Sequence, residues 1–502
     1  MKPRIKAAFF WLAVALLYIL SVLVSVGFDW YSNTFGINLE NLLYTAALPM
    51  GGADVSFLSA AFEESWPYLV SAVIACILPV GFLIIASGAA IKLRLKIGRL
   101  SIPFNVNLLC RCVALLIALL LLFTSVSDVL LQMGADDYIA NKGRITTIYE
   151  DYYTDPNSVE ISLSGEKKNL LYILVESLET TYLPEELGGA QKTNLIPRLT
   201  GLAEENISFS HNDFVGGAAV TTGASWTMGA IFAQSSGLPF SFPVDDNFSQ
   251  TFSYFARDVV TLGDILADEG YSQTFLCGSK GKFGGRSSYY TEHGGYEIKD
   301  HDYAIDMKYI PRDYMVWWGY EDAKLYDIAK RELLATAAED RPFNFTMLTA
   351  DTHHVDGYVC SLCGDEYGHQ LENVLSCADK QLMEFIDWCR QQDFYEDTVI
   401  VIVGDHYRMD SSLIPENADR RIYNCFINAQ TTPEGELKNR SFTTLDFFPT
   451  ILSAMGYEIE GDRLAMGTDL FSGTPTLAEE LGLENFNYEL SGFSQFYLDN
   501  FG

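Results

Sequence analysis

Three long apolar runs, residues 7–26, 68–90 and 108–133, dominate the first quarter of the chain. A helix needs about 20 mostly apolar residues to cross a bilayer, so this pattern predicts three membrane spans. The first run is long for a cleavable signal sequence, and no convincing small-x-small site follows it, so it reads as an anchor. Residues 136–168 are polar, tyrosine-rich and weakly periodic, and read as a linker that lifts the following domain off the membrane. Beyond them the pattern changes. Short runs that are apolar at every position, 169–175, 272–277, 343–349 and 398–403, predict strands buried on both faces. Between them, 197–205 and 370–391 repeat their apolar residues at helical spacing. Strands of this kind separated by helices imply an α/β domain over 169–502, with a mostly parallel sheet covered by helices on both faces.

Charge fixes the expected orientation. Lys2, Arg4 and Lys6 precede the first run, residues 28–67 contain no Lys or Arg, and Lys92, Arg94, Lys96 and Arg99 lie between the second and third. Basic residues in short loops stay on the cytoplasmic side, so the N-terminus is expected inside and everything after residue 135 outside. Arg111 reads as an anchor residue whose long side chain snorkels to the interface. The net charge of −32 belongs to the outer part, because residues 1–135 carry slightly more basic than acidic residues. So acidic a domain is not built to bind nucleic acid or an anionic surface by charge alone. An anionic substrate would need a local positive device, such as a metal ion or a placed Arg or Lys.

Cysteine usage agrees with that topology. Cys76, Cys110 and Cys112 lie in or beside the apolar runs, and the other six lie in the outer part, where disulfides persist. Cys360, Cys363 and Cys377 cluster in sequence. A zinc site lacks an obviously spaced fourth ligand, so a Cys363–Cys377 bridge is the expectation, closing a loop of about 15 residues for roughly 3 kcal/mol.

In parallel sheets ligands bind beyond the carboxyl ends of the strands, so the polar residues that end each apolar run are the candidates. The run from Asn169 ends on Glu176, the run from Thr398 ends on Asp405 and His406, and the run from Phe343 leads to His353. Any one of them has an ordinary structural use as a cap or turn brace. Three strand ends delivering carboxylates and imidazoles to one edge point instead to a metal site, for Mn²⁺ first, with Mg²⁺ or Zn²⁺ as alternatives.

The runs Leu174-Val-Glu176-Ser, Trp226-Thr227-Met-Gly-Ala-Ile-Phe-Ala-Gln-Ser-Ser-Gly-Leu-Pro239 and Val403-Gly-Asp405-His406 resemble the lipoteichoic acid synthase and phosphoglycerol transferase family of the sulfatase and alkaline phosphatase superfamily. The stretches Asp351-Thr-His353-x-x-Asp356-Gly-Tyr, Lys282-Phe-Gly-Gly-Arg286 and Glu292-His-Gly-Gly295 are most similar to the transferases that decorate periplasmic glucans. So is the run from Thr444 to Gly456, and the likeness covers about 169–472. The resemblance implies an alkaline phosphatase-like fold. It also implies one divalent metal on Glu176, Thr227, Asp405 and His406, with Thr227 as nucleophile and Arg286 and His353 contacting the phosphoglycerol group. Thr227 and Arg286 enter only through the resemblance, and Thr221, Thr222 and Ser225 are rival hydroxyls nearby. Two departures, the Gly278-Ser279-Lys280 stretch without an Asp and Gly284 in place of a Trp, bear on substrate preference. The sulfatases' Cys/Ser-x-Pro-x-Arg motif is absent, which argues against formylglycine chemistry.

The implied activity is transfer of sn-glycerol 1-phosphate from phosphatidylglycerol to a glycan, glycolipid or polyglycerolphosphate acceptor, through a phospho-threonine intermediate, by a multi-pass protein of the bacterial cytoplasmic membrane. Competing readings are a phosphoethanolamine transferase or lipid phosphodiesterase of the same superfamily, and a catalytically silent envelope protein.

Overall fold

The computed structural model describes residues 3–35, 92–97, 100–163, 165–242, 256–410, 413–415 and 417–501, with a few single positions between 39 and 81. It divides into two compact units, with the chain passing from the first to the second at Tyr138 and Ile139. In the first unit, helix α1 (Pro3–Phe35) packs on α2 (Val106–Gln132), and a hairpin of β1 (Lys92–Ile97) and β2 (Leu100–Asn105) precedes α2. Trp11, Val14 and Tyr18 of α1 meet Ala114 and Ala118 of α2. The two alanines, one turn apart, let the helices approach closely. A Ser21 Oγ to Ser125 Oγ hydrogen bond of 2.8 Å crosses the same seam. The outer faces stay apolar: Leu116 is 67% and Phe123 69% exposed. Residues 7–29 and 107–132 are long and apolar enough to cross a membrane. The expected span at 68–90 lies, apart from single positions, outside the described residues.

The second unit is built on strands β3 (Ile161–Leu163), β4 (Asn169–Val175), β5 (Gly217–Ala218), β6 (Ser272–Cys277), β7 (Glu297–Lys299), β8 (Phe343–Leu348), β9 (Thr398–Gly404), β10 (Ile422–Ile427) and β11 (Tyr457–Ile459). Seven of these form one sheet in the order β5–β10–β9–β4–β8–β6–β7. The strands from β9 to β7 are mutually parallel, and β10 and β5 add antiparallel at one side. The sheet is therefore mixed, with the expected parallel strands at its centre.

Alternation along the central strands explains why both faces must be covered. Tyr172, Leu174, Val401 and Val403 point to one side. There they pack on α4 (Thr227–Ser236) and α7 (Phe447–Ala454). Leu171, Ile173, Ile400 and Ile402 point to the other side. There they meet α3 (Pro197–Glu205), α5 (Asp322–Ala337) and α6 (Gln370–Cys389).

Two expectations are corrected here. Residues 139–163, expected within a linker, fold onto the end of the domain. Tyr149 is buried, its hydroxyl donates to the Leu490 carbonyl at 3.0 Å, and its ring lies 5.1 Å from that of Tyr497. β3 pairs with β11, and the Thr154 and Thr146 amides donate to the Ala465 and Phe493 carbonyls. Partners so far along the chain leave no local periodicity to read. Truncating Tyr149 to alanine is expected to cost about 3–5 kcal/mol of stability. It should also expose 139–163 to limited proteolysis, which the wild-type chain is expected to resist.

The Cys363–Cys377 bridge is the second correction. Cys360, Cys363 and Cys377 are all free thiols. Cys360 sits within 3.7 Å of one partner and 3.8 Å of the other. A disulfide requires about 2.05 Å.

Candidate active site

Register alone brings the first two site residues together. Val175 pairs with Gly404 across β4 and β9, so the chain leaves both strands at one level and delivers Glu176 and Asp405 side by side. His406 follows directly. All three are buried, and their ligand atoms lie within 4.8 Å of one another. His406 Nε2 is 3.3 Å from Asp405 Oδ2 and 3.6 Å from Glu176 Oε1.

The surroundings hold these groups in position. Asp405 Oδ1 accepts the backbone N–H groups of Ser177 and His406, both at 2.7 Å. Ser177 has φ of 54°, a left-handed turn costing of order 1 kcal/mol, which faces its N–H back onto Asp405. The Ser177 hydroxyl donates to Glu176 Oε1 at 2.7 Å. His406 Nδ1 lies 2.7 Å from the Tyr407 carbonyl, so Nδ1 carries the proton and the Nε2 lone pair faces the carboxylates.

The fourth group comes from α4. Thr227 is its first residue, and Thr227 Oγ1 is 3.4 Å from His406 Nε2. Trp226 is the N-cap and caps nothing with its side chain, so Thr227 is not held as a capping residue. The helix is locked to the sheet by buried Gln234, which donates to the Gly404 and Asp405 carbonyls at 3.0 and 2.9 Å and accepts the Tyr172 hydroxyl at 2.6 Å. Gly229 makes that seat possible, since a Cβ there would stand 2.2 Å from the Gly223 carbonyl oxygen. Gln234→Leu is expected to strand three buried polar partners and destabilise the protein by about 3 kcal/mol or more. Denaturant unfolding in detergent, followed by tryptophan fluorescence, measures the loss.

The electrostatics ask for a cation. Burial, and then the charge of Glu176, pushes Asp405 up to about 7. Burial also works against the Glu176 charge, but His353 and His406, together with the Ser177 hydroxyl and Arg408, more than offset it and hold Glu176 below its ordinary value. Burial works against the imidazolium of His406, yet Asp405 and Glu176 outweigh it and raise its pKa. Asp405 Oδ2 is buried and accepts no hydrogen bond. Two carboxylates, a neutral-capable imidazole and a hydroxyl around such an oxygen make a donor set that fits one divalent metal.

His353 follows β8 in the turn beyond Thr349. Its Nδ1 lies 2.7 Å from the His354 carbonyl, and its ring is 4.7 Å from Trp318. Burial holds its pKa below the ordinary value, against the pull of Glu176. Arg286 is placed differently from the rest. Its Nε donates to the Phe283 carbonyl at 3.0 Å. Its Nη2 donates to Ser279 Oγ and the Lys280 carbonyl at 2.9 and 3.1 Å. It braces the 279–283 loop and makes no hydrogen bond or ion pair with the four clustered residues. That loop reaches the site through rings, with Phe283 5.4 Å from Trp318.

Sequence reasoning passed over several groups. Ser177 and Gln234 lie inside runs it quoted but bear no titratable group. Buried Arg408 donates to the Thr352 carbonyl at 2.8 Å and pairs with Asp410, tying the His353 turn to the strand end after β9. Its spacing, two residues past His406, was the one available signal.

The sulfatase family profile matches residues 168–457, a span that contains every residue of this cluster, and the chain belongs to the sulfatase family. Among individual relatives, phosphoglycerol transferase I of Salmonella paratyphi B is 30% identical over 333 residues, covering 64% of this chain and 41% of its own length. The chain therefore spans about two fifths of the curated relatives it matches. A lipoteichoic acid synthase from Listeria monocytogenes aligns over 67% of this chain and 81% of its own, with 18% identity and a TM-score of 0.49. A lipooligosaccharide phosphoethanolamine transferase from Neisseria meningitidis aligns over 88% and 84%, with 15% identity and a TM-score of 0.48.

Proposed function

We propose that this protein moves a phosphoglycerol group from phosphatidylglycerol to a hydroxyl of a glycan, glycolipid or polyglycerolphosphate acceptor, at the outer face of the cytoplasmic membrane. The observation that carries the reading is the Thr227 hydroxyl, 3.4 Å from His406 at the start of a buried helix, beside Glu176 and Asp405. The name of the 30% identical relative supports phosphoglycerol as the group transferred. Two helices apolar enough to cross a membrane support a lipid donor within reach.

Glu176, Asp405, His406 and Thr227 would hold a divalent ion, Mn²⁺ in this reading, which when bound supplies the positive charge that eases deprotonation of a hydroxyl. Thr227 Oγ1 attacks phosphorus, and the bond from phosphorus to the diacylglycerol oxygen breaks. Thr227 loses one proton and the departing oxygen gains one, so this half-reaction is proton-neutral. His353 carries that proton on Nε2, the nitrogen not engaged by the His354 carbonyl. Its depressed pKa makes its protonated form a ready donor. The acceptor hydroxyl then attacks phosphorus, its proton passes to the Thr227 oxygen, and phosphoglycerol leaves on the acceptor. The first turn of α4 offers the N–H groups of residues 227–229 to phosphate oxygens. Arg286 would add a charged contact to the phosphoglycerol.

The test is intact-mass spectrometry of full-length protein in detergent, incubated with Mn²⁺ and either phosphatidylglycerol or phosphatidylethanolamine. A glycerophosphate adduct with the first lipid is the expected result. A phosphoethanolamine adduct with the second would replace this reading. No adduct and no headgroup release from either would favour a silent envelope protein.

A further inference from the structure

Cys360-Ser-Leu-Cys363 closes the turn that follows the His353 segment, and Cys377 lies on α6, so three thiols converge from two elements. Their sulfurs all lie within 4.8 Å of one another, with Cys360 at 3.7 Å from Cys363 and 3.8 Å from Cys377. Four ligands around Zn²⁺ at about 2.3 Å define a tetrahedron whose sulfur–sulfur edges are about 3.8 Å. The observed separations match that edge and are far from a disulfide bond.

The surroundings gather the thiols to one side of a tight turn. The Leu362 N–H donates to Cys360 Sγ at 3.4 Å, and the Cys363 N–H to the Cys360 carbonyl at 3.2 Å, a tight turn that points both sulfurs inward. Gln381, one turn beyond Cys377 on the same helix, puts its amide 3.2 Å from Cys377 Sγ and 3.7 Å from Cys360 Sγ. Its Oε1 is buried and accepts no hydrogen bond. The oxygen and nitrogen of an amide are assigned from the hydrogen-bond network. A half-turn brings that unpartnered oxygen to the sulfur side, at separations close to a tetrahedral edge, and supplies the fourth ligand that sequence spacing did not reveal.

We propose that Cys360, Cys363, Cys377 and Gln381 form a second metal centre, separate from the Glu176–Asp405–His406 cluster, that takes a soft divalent ion, Zn²⁺. Binding displaces the thiol protons and staples the loop that carries His353 to α6. The centre positions His353 and touches no substrate.

The experiment uses the full-length protein in detergent, purified with no chelator. Zn²⁺ content is measured, the metal is removed, and Co²⁺ is added. Co²⁺ bound by thiolates gives intense near-ultraviolet sulfur-to-cobalt charge-transfer bands, which an oxygen and nitrogen site does not. The expected result is one tightly held zinc and strong bands in wild type and in Glu176→Gln. In Cys363→Ser the bands should vanish and Zn²⁺ affinity should fall by about a hundredfold or more. Gln381→Glu should retain binding, while Gln381→Leu should weaken it by about tenfold or more. Recovery of a peptide with two of these cysteines joined by a disulfide, and no charge-transfer bands, would overturn the proposal. Bands that persist in Cys363→Ser would do the same. Unchanged affinity in Gln381→Leu would remove Gln381 from the ligand set. A role in positioning His353 predicts a lower kcat with little change in KM for the donor lipid in Cys363→Ser, assayed with saturating Mn²⁺ beside wild type.

Discussion

Replacing Thr227 with alanine is expected to abolish the covalent adduct and to lower transfer by about a thousandfold or more. In this reading the hydroxyl serves as both ligand and nucleophile. It lies 3.4 Å from His406 at the first position of α4, and a serine can stand in for it. Thr227→Ser should therefore keep a measurable fraction of activity and still form an adduct. The alanine variant should fold normally, because Trp226 rather than Thr227 is the N-cap and Gln234 still ties the helix to the sheet. Transfer by Thr227→Ala at a rate near wild type would place the nucleophile elsewhere, with Thr221, Thr222 and Ser225 next to be tested.

Asp405→Asn is expected to have opposite effects with and without metal. Burial and the nearby Glu176 charge push Asp405 up to about 7. That is well above the ordinary carboxylate value of about 4, so the metal-free native state holds the proton more tightly than the unfolded chain. The contribution of Asp405 to stability is then fully present below about pH 4 and is lost as pH rises through about 7. Removing the charge should raise the melting temperature of the metal-free protein near pH 8 and flatten this slope. The same change should weaken divalent metal binding by about a hundredfold and remove the stabilisation that Mn²⁺ gives wild type. Scanning calorimetry from about pH 5 to about pH 8, with and without Mn²⁺, reads all of these outcomes. A variant stabilised by Mn²⁺ as strongly as wild type would show that Asp405 is not a ligand.

Much of the clustered strand edge was legible in the sequence because it depends on strands. A strand buried on both faces must be apolar at every position, so its first polar residue marks its end. That rule alone picked out Glu176, Asp405 and His406, which register then brings together at the ends of β4 and β9. Thr227 carries no such mark. It begins a helix whose residues are buried almost all round, and only resemblance singled it out. Arg286 was expected beside the phosphoglycerol, yet the contacts it makes brace its own loop.

By itself the sequence determined the alternation of apolar strands and helices, the carboxylates at two strand ends, and long apolar runs ahead of an acidic domain, two of which are helices among the described residues. These are local properties, set by which side chains can be buried and by the repeat of the backbone that carries them. Only the tertiary structure decided what depends on residues far apart in the chain. It docked 139–163 on the C-terminal segment through Tyr149 and the β3–β11 pair. It put Thr227 against His406 through Gln234. It made Cys360, not Cys363, the centre of the thiol cluster. Each is a contact between elements whose separation in sequence carries no periodic signal, so it is fixed only when the sheet and its covering helices pack.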